Sequence, residues 1–327
     1  MDFRTKIEIP KSDLIISHKS RIMMLGSCFA ENIGELLIKN KFDLNLNPFG
    51  ILYNPKSISQ ALAFLCENKK FSDEDIFEYK GSYHSFWHHG AFSNTDKNKC
   101  LTNINNSIQK AAEDLRQADI LFVTFGTAFV FLNKDNNTVV GNCHKLPASF
   151  FDRQRLDVNS IIKDWEILIN TLQSINPKLQ IILTVSPIRH MKDGAHENQL
   201  SKSTLLLAID NLKKSHNQVD YFPSYEIVLD ELRDYRFYNE DMIHPNSTAI
   251  NYIWKRFSET YIKEDTYPII EEWNKIYLAL NHRPINIESD EYKLFLRQTL
   301  LKLKAFNHKY PYICCNREIS DLETRLS

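Results

Sequence analysis

Four stretches of this chain are almost unbroken runs of apolar residues: 21–25 (RIMML), 119–125 (DILFVTF), 179–185 (LQIILTV) and the shorter 219–222 (VDYF). A strand with one wet face alternates apolar and polar residues. Runs like these lack that alternation, and they suit strands of a parallel sheet covered on both faces. Residues 42–46 (FDLNL) make a weaker fifth candidate. Between the runs, apolar residues recur at helical spacing: Phe29, Ile33, Leu36 and Leu37; then Ile58, Leu62 and Leu65; later Ile161, Trp165, Leu168, Ile169 and Leu172. A last stripe, Ile250, Ile253, Trp254, Phe257 and Tyr261, follows Pro245, which suits the first turn of a helix. The alternation predicts an α/β fold with about five parallel strands, each helix presenting one apolar stripe to the sheet.

Two stretches interrupt the alternation. Residues 71–102 are polar and aromatic. Residues 128–157 predict a hairpin, with an apolar arm at 129–132, the turn formers Lys134, Asp135, Asn136 and Asn137, and a second arm at 138–140. Insertions after strands are natural places for substrate loops. From Glu264 onward the chain is rich in Trp, Tyr, Leu and Lys without strand signals. The expected division is therefore a domain of residues 1–263 carrying both insertions, and a helical C-terminal extension of residues 264–327.

Composition removes several function classes. The 8 glycines are never spaced as G-x-G-x-x-G or a Walker A loop, so no phosphate-cradling motif is present and no nucleotide cofactor is expected. Lys+Arg 40 against Asp+Glu 41 gives a net charge of -1, without the cationic surplus that draws a protein to nucleic acid. No run approaches the roughly 18 apolar residues of a membrane span, and the first 30 residues have no apolar stretch after a basic start. The 6 cysteines form no C-x-x-C pair. The expectation is a cytoplasmic protein with reduced thiols, no membrane partner and an oligomeric state that the sequence leaves open.

Two segments bear chemistry. Gly26, Ser27 and Cys28 lie where an apolar strand ends and an amphipathic helix begins. A side chain there is exposed at the carboxyl edge of the sheet, beside helix N–H groups that favour an anion. Ser27 reads either as a nucleophile or as a helix cap. Cys28, one residue on, is assigned to packing. Asp241 and His244, spaced D-x-x-H, fit a carboxylate orienting an imidazole, or a solvated loop before a helix. His84 and His88 stand four apart, a zinc-ligand spacing only on a helix; without acidic or cysteine neighbours the histidine-rich stretch is expected to form a polar and aromatic wall, with no metal. Arg189 and His190 either bind an anionic group on a substrate or pair with Asp193.

Taken together, these residues resemble the GSCFA family, whose name is the string at 26–30, and through it the SGNH/GDSL hydrolase superfamily. The segments NPFG at 47–50, NCHK at 142–145, SPIRH at 186–190 and DMIHP at 241–245 fit the same family in the same order. The resemblance implies a three-layer α/β/α (flavodoxin-like) domain in which Ser27 is the nucleophile, His244 the general base and Asp241 its orienting carboxylate. It also implies an oxyanion hole made by the N–H of Ser27, the N–H of Gly50 and a third donor. The superfamily places an asparagine at that third position, and here Thr127 stands after Gly126 instead. Either Thr127 donates, or Asn142 reaches in from the hairpin, or the hole is one donor short. Asn142, His144, Arg189 and His84 are the expected substrate contacts. The activity implied is hydrolysis of an acyl ester, on a small molecule or a glycan, through an acyl-serine intermediate without cofactor. O-acyl transfer by the same triad, and a non-catalytic protein that binds glycans or a partner, are the alternatives.

Overall fold

The computed structural model describes residues 4–326. Its elements run β1 (Arg21–Gly26), α1 (Cys28–Lys39), β2 (Asp43–Leu46) and α2 (Pro55–Glu67), then a small hairpin of β3 (Phe77–Tyr79) and β4 (Ser82–His84), then α3 (Lys97–Gln117) and β5 (Ile120–Phe125). The insertion after β5 folds as β6 (Phe129–Asn133), β7 (Thr138–Val140) and β8 (Phe151–Arg155). The alternation resumes with α4 (Val158–Ile175), β9 (Gln180–Val185), α5 (Ala195–Ser215) and β10 (Val219–Phe222), followed by α6 (Ser224–Glu226) and α7 (Ser247–Tyr261). Three further helices close the chain: α8 (Tyr267–Leu280), α9 (Asp290–Lys309) and α10 (Asn316–Leu326).

The main sheet has the order β2-β1-β5-β9-β10, and every neighbouring pair is parallel. Alternate side chains of the central strands explain why their sequences are apolar throughout. Met23, Leu25, Leu121, Val123, Ile181 and Leu183 join one core with residues of α2, α3, α4 and α5. Ile22, Met24, Ile120, Phe122 and Ile182 join the other with residues of α1 and α7. The result is the five-stranded parallel sheet that the apolar runs predict, in the three-layer α/β/α arrangement that the family resemblance implies. From β1 the chain moves one way to β2, and then crosses back to β5 and onward to β10. The carboxyl ends of β1 and β5 therefore flank the topological switch point, where open α/β sheets bind their ligands.

The insertions are richer than the sequence suggested. The hairpin of β6 and β7 forms, and β8 pairs with the other edge of β6 to make a three-stranded sheet. The polar stretch at 71–102 supplies the β3–β4 hairpin and the first turns of α3, whose buried stripe is Cys100, Ile104, Ile108, Ala112 and Leu115. The helix expected to start at Pro245 starts at Ser247 instead. Asn246 is its N-cap, accepting the Ala249 N–H at 3.1 Å, while Pro245 bridges to Tyr238. An asparagine carbonyl satisfies a free helix N–H, which proline at N1 does not, so the cap sets the boundary. The last three helices share their own core around Trp273, Leu296, Leu303, Phe306 and Ile313. They are fastened to the main body where the Trp273 indole donates to the Lys39 carbonyl at 2.7 Å and Lys41 donates to the Cys314 carbonyl at 3.0 Å. Among the described residues no helix is long and apolar enough to cross a membrane.

The histidine-rich stretch contains the fold's clearest acid-sensitive element. His88 is fully buried, stacked on Phe49 at 4.8 Å and edge-on to Phe71, with Nδ1 bonded to Ser85 Oγ at 3.0 Å and Nε2 without a partner. Burial, reinforced by His144, pushes its pKa down to about 3. The unfolded chain takes up this proton below about pH 6.5, and the folded chain does not until about pH 3. Stability from this group is thus complete above pH 6.5 and falls by about 1.4 kcal/mol for each pH unit lost within that window. Urea titrations between pH 4 and 7 are expected to show this slope, and His88→Phe, which keeps the aromatic stack, to reduce it by about one proton. An unchanged slope in the variant would show that His88 is not the proton acceptor.

Candidate active site

β1 ends at Gly26 and α1 starts at Cys28, so Ser27 alone makes the turn. Gly26 lies against β5: a Cβ built on it would sit 2.5 Å from the Thr124 carbonyl oxygen. Ser27 is extended, is the N-cap of α1 and accepts the Phe29 N–H on Oγ at 3.3 Å. Across the switch point, a Cβ on Gly126 would lie 3.5 Å from Ser27 Cβ and 3.3 Å from His190 Nε2, which places the ends of β1 and β5 in direct contact.

The loop after α6 delivers the second half of the site. Asp241 Oδ1 accepts the N–H groups of Ile243 at 2.9 Å and His244 at 3.0 Å, and its Oδ2 meets His244 Nδ1 at 2.6 Å. These backbone and side-chain bonds from the His244 turn hold the Asp241 carboxyl down to about 2, so it stays ionised while it orients the ring. With Nδ1 facing the carboxylate, Nε2 is the free nitrogen of His244. The loop is braced by the Asn239 N–H on the His244 carbonyl at 2.8 Å and by Arg189, whose guanidinium lies 4.5 Å over Tyr238 and 5.0 Å over Tyr235.

Ser27 and His244 line one cavity of about 520 Å³, within the range of small-molecule sites. No hydrogen bond joins Ser27 Oγ to His244. Thr127, Asn142 and Arg189 line the same cavity, as expected substrate or oxyanion contacts. Thr127 Oγ1 also holds the loop after β5, accepting the Phe129 N–H and sharing a bond with Ser201 Oγ, each at 3.1 Å.

Other expected contacts lie elsewhere. The Gly50 N–H donates to the Asn47 carbonyl at 2.7 Å and the residue is outside the cavity, because residues 47–50 close a turn on themselves. His144 is buried behind the cavity wall with Nε2 on the Ser85 carbonyl at 2.7 Å. His84, tilted against it, bonds Ser93 Oγ and the Tyr79 carbonyl with its two nitrogens. Both histidines are spent on holding the insertion together. His84 sits on strand β4 and not on a helix with His88, so the pair lacks the one-face geometry of a zinc site. Asp193 pairs with Arg153, leaving Arg189 and His190 to other neighbours. Cys28, assigned to packing, is only half-buried and lines the cavity with its Sγ 3.9 Å from Tyr53 Oη.

Sequence reasoning missed two contributors. Asn54 lines the cavity as the N-cap of α2; its Oδ1 accepts the Ser57 N–H at 2.7 Å, leaving Nδ2 as a donor at the cavity wall. Lys202 is wholly buried in α5 and donates to the carbonyls of Gly126 and Ser186, both at 2.6 Å, tying together the loops that leave β5 and β9. Burial pushes its pKa down to about 7. His190, beside it, is pushed down to about 3 by burial and by the Lys202 charge, so it is neutral at ordinary pH.

A model of the GSCFA family matches residues 21–257, the span that contains the whole sheet and both halves of the site. The chain belongs to the GSCFA family. A second model, for the C-terminal domain of GSCFA domain proteins, matches residues 273–327. No curated protein sequence matches the chain. Among solved structures, it is similar to a carbohydrate esterase family 3 protein from Talaromyces cellulolyticus, with 9% identity and a TM-score of 0.35 over 77% of this chain and 99% of that one. It is also similar to a mutant acetyl esterase with acetate ion, with 10% identity and a TM-score of 0.36 over 77% and 99% of the two chains. An acetyl xylan esterase from the rumen bacterium Butyrivibrio proteoclasticus gives 12% identity and a TM-score of 0.36 over 73% and 63%.

Proposed function

We propose that this GSCFA protein is a serine hydrolase that cleaves acyl esters through an acyl-Ser27 intermediate. The observation that carries this reading is the placing of Ser27, at the strand-to-helix turn of β1, in one cavity with an imidazole whose Nδ1 is fixed by Asp241 at 2.6 Å. In the reaction Ser27 Oγ leaves its cap bond, passes its proton to His244 Nε2 and attacks the ester carbonyl carbon. Asp241 stabilises the imidazolium, which then protonates the departing alkoxide. Water, activated by the same imidazole, releases the acid and restores Ser27.

The oxyanion forms beside the free N–H groups of the first turn of α1, with Asn54, Thr127 and Asn142 as polar side chains on the same cavity wall. Gly50 has no part in this reading. The protein's contribution is a set of dipoles fixed before the substrate arrives, held by the β1–β5 contact and by the Lys202 clamp.

The test is labelling with a fluorophosphonate, followed by peptide mapping of the adduct. The expected result is a single adduct on Ser27, absent in Ser27→Ala and in His244→Ala, and retained in Cys28→Ala. Absence of a Ser27 adduct under conditions that label other serine esterases would overturn the assignment. With a labelled protein in hand, release of acid against acyl transfer to an added glycan separates hydrolysis from transfer.

A further inference from the structure

The cavity that holds Ser27 and His244 is lined by three cationic side chains, Arg153, Arg189 and Lys192, and by no aspartate or glutamate. The chain as a whole carries a net charge of -1, so this is a local concentration and not a general excess. Two carboxylates that adjoin lining residues are already engaged: Asp193 with Arg153, and Asp241 with His244. The Arg189 guanidinium makes two long hydrogen bonds, at 3.4 Å each, with Tyr235 Oη and the Met242 carbonyl, lies over the Tyr235 and Tyr238 rings, and has no carboxylate partner among the described residues. Lys192 is exposed, rests 5.1 Å over the Phe131 ring and has no carboxylate partner among the described residues. Arg153 lies 4.9 Å over both Phe129 and Phe131, and its Nε is a buried donor without a partner.

An aromatic strand face beside two cations, Arg189 and Lys192, that have no carboxylate partner among the described residues suits one chemistry. Apolar rings take the flat body of a ligand, and guanidinium and ammonium groups at its edge take an anion, by bonds stronger than neutral ones. A neutral ester would leave Arg189 and Lys192 without a counter-charge. We infer that the ester taken at this site carries a small anionic group, a carboxylate or a phosphate, held between Lys192 on the β6 side of the cavity and Arg189 beside the His244 loop while its acyl carbonyl faces Ser27. This inference rests on the hydrolase reading for the reaction, and on the cavity charges alone for the binding.

Binding is therefore measured without turnover. Benzoate, phenyl phosphate and benzyl alcohol are titrated by calorimetry into the full-length Ser27→Ala protein, and again after adding Lys192→Glu or Lys192→Gln. Lys192 makes no hydrogen bond that the fold needs, so these variants test charge, whereas Arg189 also braces the His244 loop. The expected result is that at least one anion binds about 10-fold or more tighter than benzyl alcohol, that the preference shrinks at high salt, and that Lys192→Glu removes most of it. The better anion identifies the group as carboxylate or phosphate. Equal binding of anions and alcohol, or anion binding indifferent to Lys192→Glu, would overturn the inference. The outcomes also separate the two readings. Anion binding without a fluorophosphonate adduct removes the hydrolase and keeps the anion site, while an adduct on a protein that prefers neutral ligands does the reverse.

Discussion

Ser27→Ala is expected to lower kcat/KM for ester hydrolysis by about 10,000-fold or more while shifting the thermal midpoint by only a few degrees. Both halves follow from where the hydroxyl sits. As the N-cap of α1, Ser27 satisfies one helix N–H, and loss of such a cap costs about 0.5–2 kcal/mol. For a domain of this size that is a shift of roughly 2–4 °C per kcal/mol. As the nucleophile, its loss removes the covalent route altogether, and a factor of 10,000 corresponds to about 5.5 kcal/mol of transition-state stabilisation. The two effects differ in size enough for one variant to tell a cap from a catalyst. His244→Ala is expected to lose a similar factor, and the double variant no more than either single one, because the two side chains act as a unit. Retention of a tenth of the activity in Ser27→Ala would sink the assignment. So would a loss that follows Cys28→Ala instead, since the Cys28 thiol lines the same cavity.

The sheet was legible because its central strands are buried on both faces, so the residues that solvent would otherwise mark as polar are apolar as well. β5 is buried at every position and reads as ILFVTF. The helices α1, α2, α4 and α7 were legible because each lays one apolar stripe on that sheet. α5 was not, and its inward face explains why. Where it passes the strand ends it buries Asn198, Ser201 and Lys202, which bond the His190 N–H, the Ala128 N–H and the carbonyls of Gly126 and Ser186. Loops that leave a parallel sheet present polar backbone to whatever covers them, and a helix that satisfies it carries no hydrophobic period there.

Within the site, Asp241 and His244 were readable because three residues of spacing in one turn fix their contact without help from the fold. Gly50 was not, because a motif position says nothing about where its N–H points, and a closed turn at 47–50 spends that donor locally. Asn54 shows the opposite error. No motif marked it, and only the β1–β5 crevice makes the unused half of its cap amide a cavity donor. His144, in the motif at 142–145, and His84, in the histidine-rich stretch, lie outside the cavity lining, because both are bonded within the insertion that carries the β3–β4 hairpin.

Gly26→Ala is expected to destabilise the fold by about 2–6 kcal/mol. Two costs add. The residue has φ +149°, which an L side chain rarely adopts, and holding alanine there costs on the order of 1–3 kcal/mol. Its Cβ would also lie 2.5 Å from the Thr124 carbonyl oxygen and 2.8 Å from Thr124 Cβ, an overpacking cost of about 1–3 kcal/mol. Relief is difficult because β5 is paired with β1 on one side and β9 on the other, and the Gly26 N–H is itself held by Asn47 Oδ1 at 2.9 Å. Against a total stability of about 5–15 kcal/mol this is a large fraction. Gly90→Ala is the control, since nothing lies within 4 Å of a Cβ there and its φ is ordinary. Urea midpoints of the two variants decide the matter, and a Gly26→Ala protein within about 0.5 kcal/mol of Gly90→Ala would refute the strained-contact account. Any Gly26→Ala protein that still folds is expected to label poorly with fluorophosphonate although Ser27 and His244 are intact. The added methyl pushes β1 away from β5, and that contact is what holds Ser27 against Gly126 at the mouth of the switch point.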